Sequence, residues 1–175
     1  MDEAARRRLA RDIASVARLE GRFTLRSGAV AAEYFDKYRF ESDPALLKRV
    51  AAAMLPLVPD RAEVLAGLEL GGVPIATAMS LADGRPAAFV RKEAKAYGTC
   101  QAVEGAQVGG KRVAIIEDVI TTGGAVRDAI GHLEAAGAEV VAVVCAIWRG
   151  DGEPKIAGVE AAVLPALRRE DLEQA

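Results

Sequence analysis

The sequence predicts an α/β fold, a central parallel sheet flanked by helices. The chain's 175 residues are 51% hydrophobic and only 5% aromatic, so its core rests on Ala, Val, Leu and Ile, a composition suited to helices packed on a parallel sheet. From Val64 onward, short apolar runs alternate with amphipathic stretches, and strand–helix–strand order implies right-handed crossovers. The length is that of one domain, and no repeat, low-complexity linker or boundary divides it, so residues 1–175 read as a single unit.

The elements follow in order. Leu9, Ile13, Val16 and Leu19 recur at helical spacing, predicting an N-terminal amphipathic helix that Gly21 ends. An irregular stretch, Phe23 to Gly28, precedes an aromatic cluster of Tyr34, Phe35, Tyr38 and Phe40. Asp43-Pro44 opens a helix to about Met54, because proline suits the first helical turn. Strands are expected at Val64 to Leu68, Ala87 to Val90, Val113 to Ile116 and Val140 to Ile147, with a further one at Val159 to Leu164. Helices are expected at Pro74 to about Leu81, at Ala125 to Ala136 before Gly137, and from Arg168 onward.

Composition narrows the function classes. A net charge of −2 leaves no basic surplus for nucleic acid. Cys100 and Cys145 are the only cysteines and lack CxxC spacing, so a structural disulfide or zinc site is not expected and a reducing cytoplasm is. The first twenty residues mix acids with arginines and carry no apolar run of a signal peptide, and no segment approaches the ~20 apolar residues that cross a bilayer. His132 has no ligand-spaced partner and reads as a surface or packing residue; Cys145 reads as core.

Two segments carry chemistry. The first is the run Val113 to Ala125, in which an apolar strand delivers Glu117 and Asp118 at the edge where parallel sheets bind ligands. Val119 and Ile120 lead on to Thr121, Thr122, Gly123 and Gly124, and Ala125 begins the helix. Glycines let the backbone wrap a phosphate, and the helix N-terminus favours its charge. The two acids would repel a bare phosphate but suit ribose hydroxyls or a magnesium ion, so a sugar phosphate satisfies both halves. The plainer alternative is a strand–turn–helix with a polar turn. The second segment is the long stretch Arg91 to Lys111, which has little apolar periodicity. Its cations Arg91, Lys92 and Lys95 suit a lid over a diphosphate leaving group, against the alternative of a solvated charged loop.

The run from Val113 to Ala125 resembles the signature of the type I phosphoribosyltransferases for 5-phosphoribosyl diphosphate (PRPP). That resemblance implies a core of parallel strands with helices on both faces and a small N-terminal hood, formed mainly by residues 1–45. It also implies that Thr121 to Ala125 grip the 5-phosphate while Glu117 and Asp118 hold the ribose 2- and 3-hydroxyls. No Gly-Lys-Ser/Thr follows the glycines, so the segment is not a Walker P-loop.

Arg91-Lys92-Glu93-Ala94-Lys95-Ala96-Tyr97-Gly98 is similar to the catalytic loop of the orotate phosphoribosyltransferases, with Tyr97 where that family usually has histidine. The likeness implies that Arg91, Lys92, Lys95 and Tyr97 contact PRPP and that Lys95 is closest to catalysis. It further implies a homodimer whose Arg91–Lys111 loop closes over the neighbouring subunit. Phe23 to Gly28 resembles the family element whose cation, here Arg26, contacts PRPP or orotate. Tyr34 and Phe35 fall on an aromatic pair near the base, though they could equally be hood core. Arg149 falls on an arginine that pairs with orotate, with Trp148 where aspartate is usual; Thr121 is implied beside the base as well. Gly67 to Pro74 resembles the diphosphate loop, placing Leu70 and Gly71 against PRPP, with glycine where some members carry lysine. The activity implied is magnesium-dependent transfer of phosphoribose to orotate in pyrimidine biosynthesis. Transfer to another nucleobase and a non-catalytic PRPP sensor are the alternatives.

Overall fold

The computed structural model describes residues 1–24, 28–93 and 101–174. Arg26, Lys95, Tyr97 and Cys100 lie outside the described residues.

Helix α1 (Glu3–Ala17) starts on Asp2, whose side chain accepts from Ala5 N at 2.7 Å. It buries Leu9, Ala10, Ile13, Ala14 and Ala17. The helix ends at Ala17, earlier than its apolar spacing implies, and Leu19 and Gly21 belong to strand β1 (Arg18–Thr24). β1 pairs antiparallel with β2 (Val30–Phe35), and its register shifts between Glu20 and Phe23. The stretch expected to be irregular is therefore strand through Thr24. Period-2 patterning is missing there because most of these residues are exposed on a two-stranded sheet, so no buried face imposes alternation. A short helical turn, α2 (Tyr38–Glu41), leads to α3 (Pro44–Met54). Asp43 caps α3 by accepting from Ala45 N and Leu46 N at 2.8 and 3.0 Å.

The main sheet is built from β3 (Val64–Leu68), β4 (Ala87–Val90), β5 (Val103–Gly105), β6 (Arg112–Ile120), β7 (Glu139–Trp148) and β8 (Val163–Arg168). Their order is β5-β4-β3-β6-β7-β8. All neighbours are parallel except β4 and β5, which pair antiparallel. The expected parallel sheet thus carries an antiparallel edge strand inside the Arg91–Lys111 segment. β5 is too short, three residues, to announce itself by periodicity. The last strand also sits later than expected, at Val163–Arg168.

Helices α4 (Gly72–Asp83), α5 (Gly124–Ala135) and α6 (Arg169–Glu173) complete the chain. Strand residues alternate between two cores. Leu65, Ala114, Ile116, Ala142 and Val144 pack with Ile13, Val50, Met54, Ile75 and Met79 of α1, α3 and α4. Val64, Ala66, Val113, Ile115, Val143 and Cys145 pack with Val126, Ala129 and Leu133 of α5. Burial on both faces explains why β3, β6 and β7 read as unbroken apolar runs. Each fully buried Val, Leu or Ile contributes ~1.5–3 kcal/mol. The strand ends therefore stand on a rigid base, and the loops at their carboxyl ends are where side chains can be positioned for chemistry. No helix among the described residues is long and apolar enough to cross a membrane.

Candidate active site

Strand β6 runs beyond its apolar part to Ile120 and carries Glu117 and Asp118 within the sheet, paired along β7 near Cys145 and Ile147. Both acids are buried, Asp118 completely. The turn after β6 leaves Thr121 and Thr122 exposed. Gly123 then takes φ +74°, and a Cβ there would stand 2.6 Å from the Ile156 side chain, so both backbone and space require glycine. Gly124 and Ala125 open α5, and no side chain caps that N-terminus. Its first N–H groups are thus left to an incoming anion.

At the carboxyl end of β3, next to β6, Gly67 to Pro74 forms the second wall. The Glu69–Leu70 peptide is cis. Leu70 is exposed, while Gly71 and Gly72 are buried. A Cβ on Gly71 would overlap the Asp118 carboxylate and come 2.7 Å from Glu41 Oε1. A Cβ on Gly72 would overlap the carbonyl oxygen of Ile116. The absence of side chains here lets two loops close on each other.

A cleft of about 580 Å³ lies between these walls, lined by Glu69, Arg91, Lys92, Thr122, Gly124 and Ala125, among others. The structure therefore brings two of the loop cations against the glycine turn. Lys92 N donates to Glu69 Oε1 at 2.7 Å, and Arg91 N donates to Ala102 O at 2.8 Å. His132 Nε2 lies 3.2 Å from the Lys92 carbonyl oxygen, so a residue read as surface or packing touches the start of the cationic loop.

Arg149 is separate from this cleft. Its N donates to Ile120 O at 2.7 Å, tying the ends of β6 and β7. Its guanidinium lies over the Phe35 ring at 5.2 Å. Arg149, Tyr34 and Phe35 share a pocket of about 190 Å³ with Arg18, Glu33, Arg169, Leu172 and Glu173. Tyr34 stacks on Phe23 with ring centroids 5.5 Å apart. Burial, aided by the neighbouring Arg169, makes the Arg149 guanidinium less basic than usual. This pocket gathers three of the four expected base-side residues that are described, Tyr34, Phe35 and Arg149; Thr121 is not among its lining residues. The Arg169 contact to the Arg149 carbonyl, and Arg18, are additions that sequence reasoning missed. Both come from segments distant in the chain, with no local motif to flag them.

The acids have neighbours that the sequence did not flag either. Lys37 Nζ lies 2.6 Å from Asp118 Oδ2, and Glu41 is buried beside them. Burial, together with the charge of Asp118, raises Glu117 to about 9. Burial and the contact with Asp118 raise Glu41 to about 9 as well. For Asp118 burial favours the neutral form, but contacts from Glu41 and Lys37 prevail and hold its carboxyl below the ordinary range. Burial likewise opposes the Lys37 charge, yet Asp118 keeps its ammonium above its ordinary value. At neutral pH the cluster is one ion pair flanked by two neutral acids, able to accept from hydroxyls or donate to them. Buried Cys145, beneath the acids, has its thiol pushed up by desolvation and is not a nucleophile.

Among the described residues no group of three or more His, Cys, Asp or Glu side chains is arranged to hold a metal ion. One carboxylate paired with lysine and two neutral acids suit a cation that arrives on a phosphate-bearing substrate rather than a cage made by the protein.

Residues 37–163 match the family described as phosphoribosyl transferase domain. The chain belongs to the phosphoribosyltransferase family. This phosphoribosyltransferase is 61% identical to an orotate phosphoribosyltransferase of Nocardioides sp., over 95% of this chain and 94% of that one. It superposes with TM-score 0.84 on the Mycobacterium tuberculosis H37Rv orotate phosphoribosyltransferase in complex with Fe(III) dicitrate, at 35% identity, covering 96% and 98% of the two chains. The same M. tuberculosis enzyme in complex with PRPP gives 0.79 at 30% identity, covering 97% and 99%.

Proposed function

We propose that this phosphoribosyltransferase transfers the 5-phosphoribosyl group of PRPP to orotate, giving orotidine 5-phosphate and diphosphate in pyrimidine biosynthesis. The observation that carries the reading is one arrangement. The uncapped α5 N-terminus and the loop cations Arg91 and Lys92 line one cleft, the buried acids lie on the strand that leads into it, and Arg149 with two aromatics lines a second pocket. An anionic sugar diphosphate fits the first and a flat carboxylated base fits the second.

In this reading Thr121, Thr122, Gly123, Gly124 and Ala125 hold the 5-phosphate, with Val119 and Ile120 shaping the approach. Glu117 and Asp118 take the ribose hydroxyls, and Leu70 and Gly71 form the diphosphate wall. Arg91, Lys92, Lys95 and Tyr97 neutralise the departing diphosphate. Arg149, Tyr34, Phe35, Arg26 and Thr121 receive orotate, and residues 1–45, which include the β1–β2 sheet, form most of the hood. The bond from ribose C1 to the diphosphate oxygen breaks as the bond from C1 to the orotate ring nitrogen forms. Orotate reacts as the anion at that ring nitrogen, its proton having passed to water, and diphosphate leaves with the bonding electron pair. The protein acts by placing charge, without a covalent nucleophile. Magnesium, carried on the diphosphate, would add charge neutralisation there. The enzyme is proposed to be cytoplasmic and homodimeric, with residues 91–111 shared across the interface.

The test is diphosphate release from PRPP with orotate, uracil, adenine and hypoxanthine as acceptors. Orotate is expected to be the acceptor used. Turnover of a purine without orotate sinks the base assignment, and PRPP binding with no turnover favours a sensor. Asp118→Asn is expected to weaken PRPP more than orotate; equal weakening removes its ribose role.

A further inference from the structure

Lys37 lies outside both sequence segments that announce chemistry. It is the residue before α2, its side chain keeps 32% of its surface accessible, and its ammonium stands 5.4 Å from the Tyr38 ring centroid. Its Nζ reaches Asp118 Oδ2 at 2.6 Å, and the Asp118 carboxyl has no exposure at all. That carboxylate sits in the space a side chain at position 71 would fill, with Glu41 Oε1 on the same wall. Three carboxyl groups, Glu41, Glu117 and Asp118, therefore converge beside the Gly71 loop, and Lys37 acts on all three.

We propose that Lys37 is a positioning residue of the ribose-diphosphate site, holding the Asp118 carboxylate against Gly71 and supplying the positive charge that makes this acidic corner accept an anionic sugar diphosphate. The inference rests on the PRPP reading above. Two facts separate it from a purely structural pair. An ion pair needed only for stability gains little from burial, since removing water from both charges offsets their attraction. And Gly71, free of a side chain, leaves the carboxylate facing the proposed diphosphate wall rather than filling a packed core. Without Lys37, Asp118 must take a proton or turn away, and either change removes an acceptor from the ribose hydroxyls.

Steady-state kinetics of Lys37→Met and Lys37→Arg, with PRPP and orotate varied in turn, test this. Lys37→Met is expected to raise KM for PRPP about tenfold or more, the scale expected when a buried charge loses its partner, and to move KM for orotate less than about twofold. Lys37→Arg is expected to restore most of the PRPP affinity. An unchanged KM for PRPP overturns the proposal, as do equal rises for both substrates or an arginine variant no better than methionine. Should Lys37→Met fail to fold, Lys37→Gln takes its place, with the same split supporting the proposal and no split overturning it. Wild-type protein inactive with every base would count against the function proposed above; active wild-type with normal PRPP kinetics in the variant counts against Lys37 alone.

Discussion

At the scale of single residues, the buried acids make a pH prediction. Glu41 and Glu117 have carboxyls raised from 4.5 to about 9, so the folded chain keeps two protons that the unfolded chain releases. Where the native state binds more protons, stability falls as pH rises, here between 4.5 and about 9. Asp118, lowered from 3.8, contributes stability that is already complete above that value and is lost only in acid. Lys37, raised from 10.5, contributes fully below that value and loses its share above it. Neither therefore changes across the window. Thermal melts at pH 5 to 9 should show a declining melting temperature, and Glu41→Gln should flatten the decline. Equal slopes in the two proteins would mean that Glu41 ionises normally.

At the scale of elements, α5 and the turn into it make an opposed pair of predictions at two glycines. Gly123 has φ +74°, and a Cβ there would meet Ile156 at 2.6 Å, whereas a Cβ on Gly131, inside α5, would meet nothing within 4 Å. Gly123→Ala should cost about 1–3 kcal/mol and weaken PRPP binding. Gly131→Ala should gain ~0.5–1 kcal/mol. Urea denaturation of both variants measures the contrast, and a shift of the same sign in each would refute the turn geometry. β3, β6 and β7 were legible in the sequence because burial on both faces leaves an unbroken apolar run. β1, β2 and β5 were not, being exposed or too short to pattern. The same division holds in the site. Glu117 to Ala125 form one local motif, while Lys37, Glu41, Arg18 and Arg169 reach it only through tertiary contact.

At the scale of the whole molecule, helices α1 and α6 brace the pocket that holds Arg149. Arg6 of α1 pairs with Asp171 of α6 at 2.7 Å, and Arg18 donates to Leu172 O at 3.0 Å. Arg169 in turn contacts the Arg149 carbonyl. The proposed dimer adds a test of a different kind. Lys95→Ala alone should lower turnover roughly 10²-fold or more, as loss of a transition-state donor does. If the loop serves the neighbouring subunit, mixing Lys95→Ala with Asp118→Asn and allowing exchange should restore about a quarter of the sites, because half the dimers are mixed and each holds one intact site. Mixtures no more active than their components would place loop and acids within one chain.

The hydrogen bond from Arg91 N to Ala102 O, at 2.8 Å, and the Val90–Val103 pairing have a consequence for how this protein can change. The two stems of the loop are already clasped by the sheet edge, so the closure entropy of the segment between them rises only slowly with its length. The sheet edge is therefore expected to tolerate a different segment between Lys92 and Gln101. Replacing residues 92–101 with a short Gly-Ser turn should leave unfolding free energy within about 1 kcal/mol while turnover is lost. If turnover is lost and the sheet stays stable, the segment's contribution to the proposed reaction can be changed without disturbing the fold.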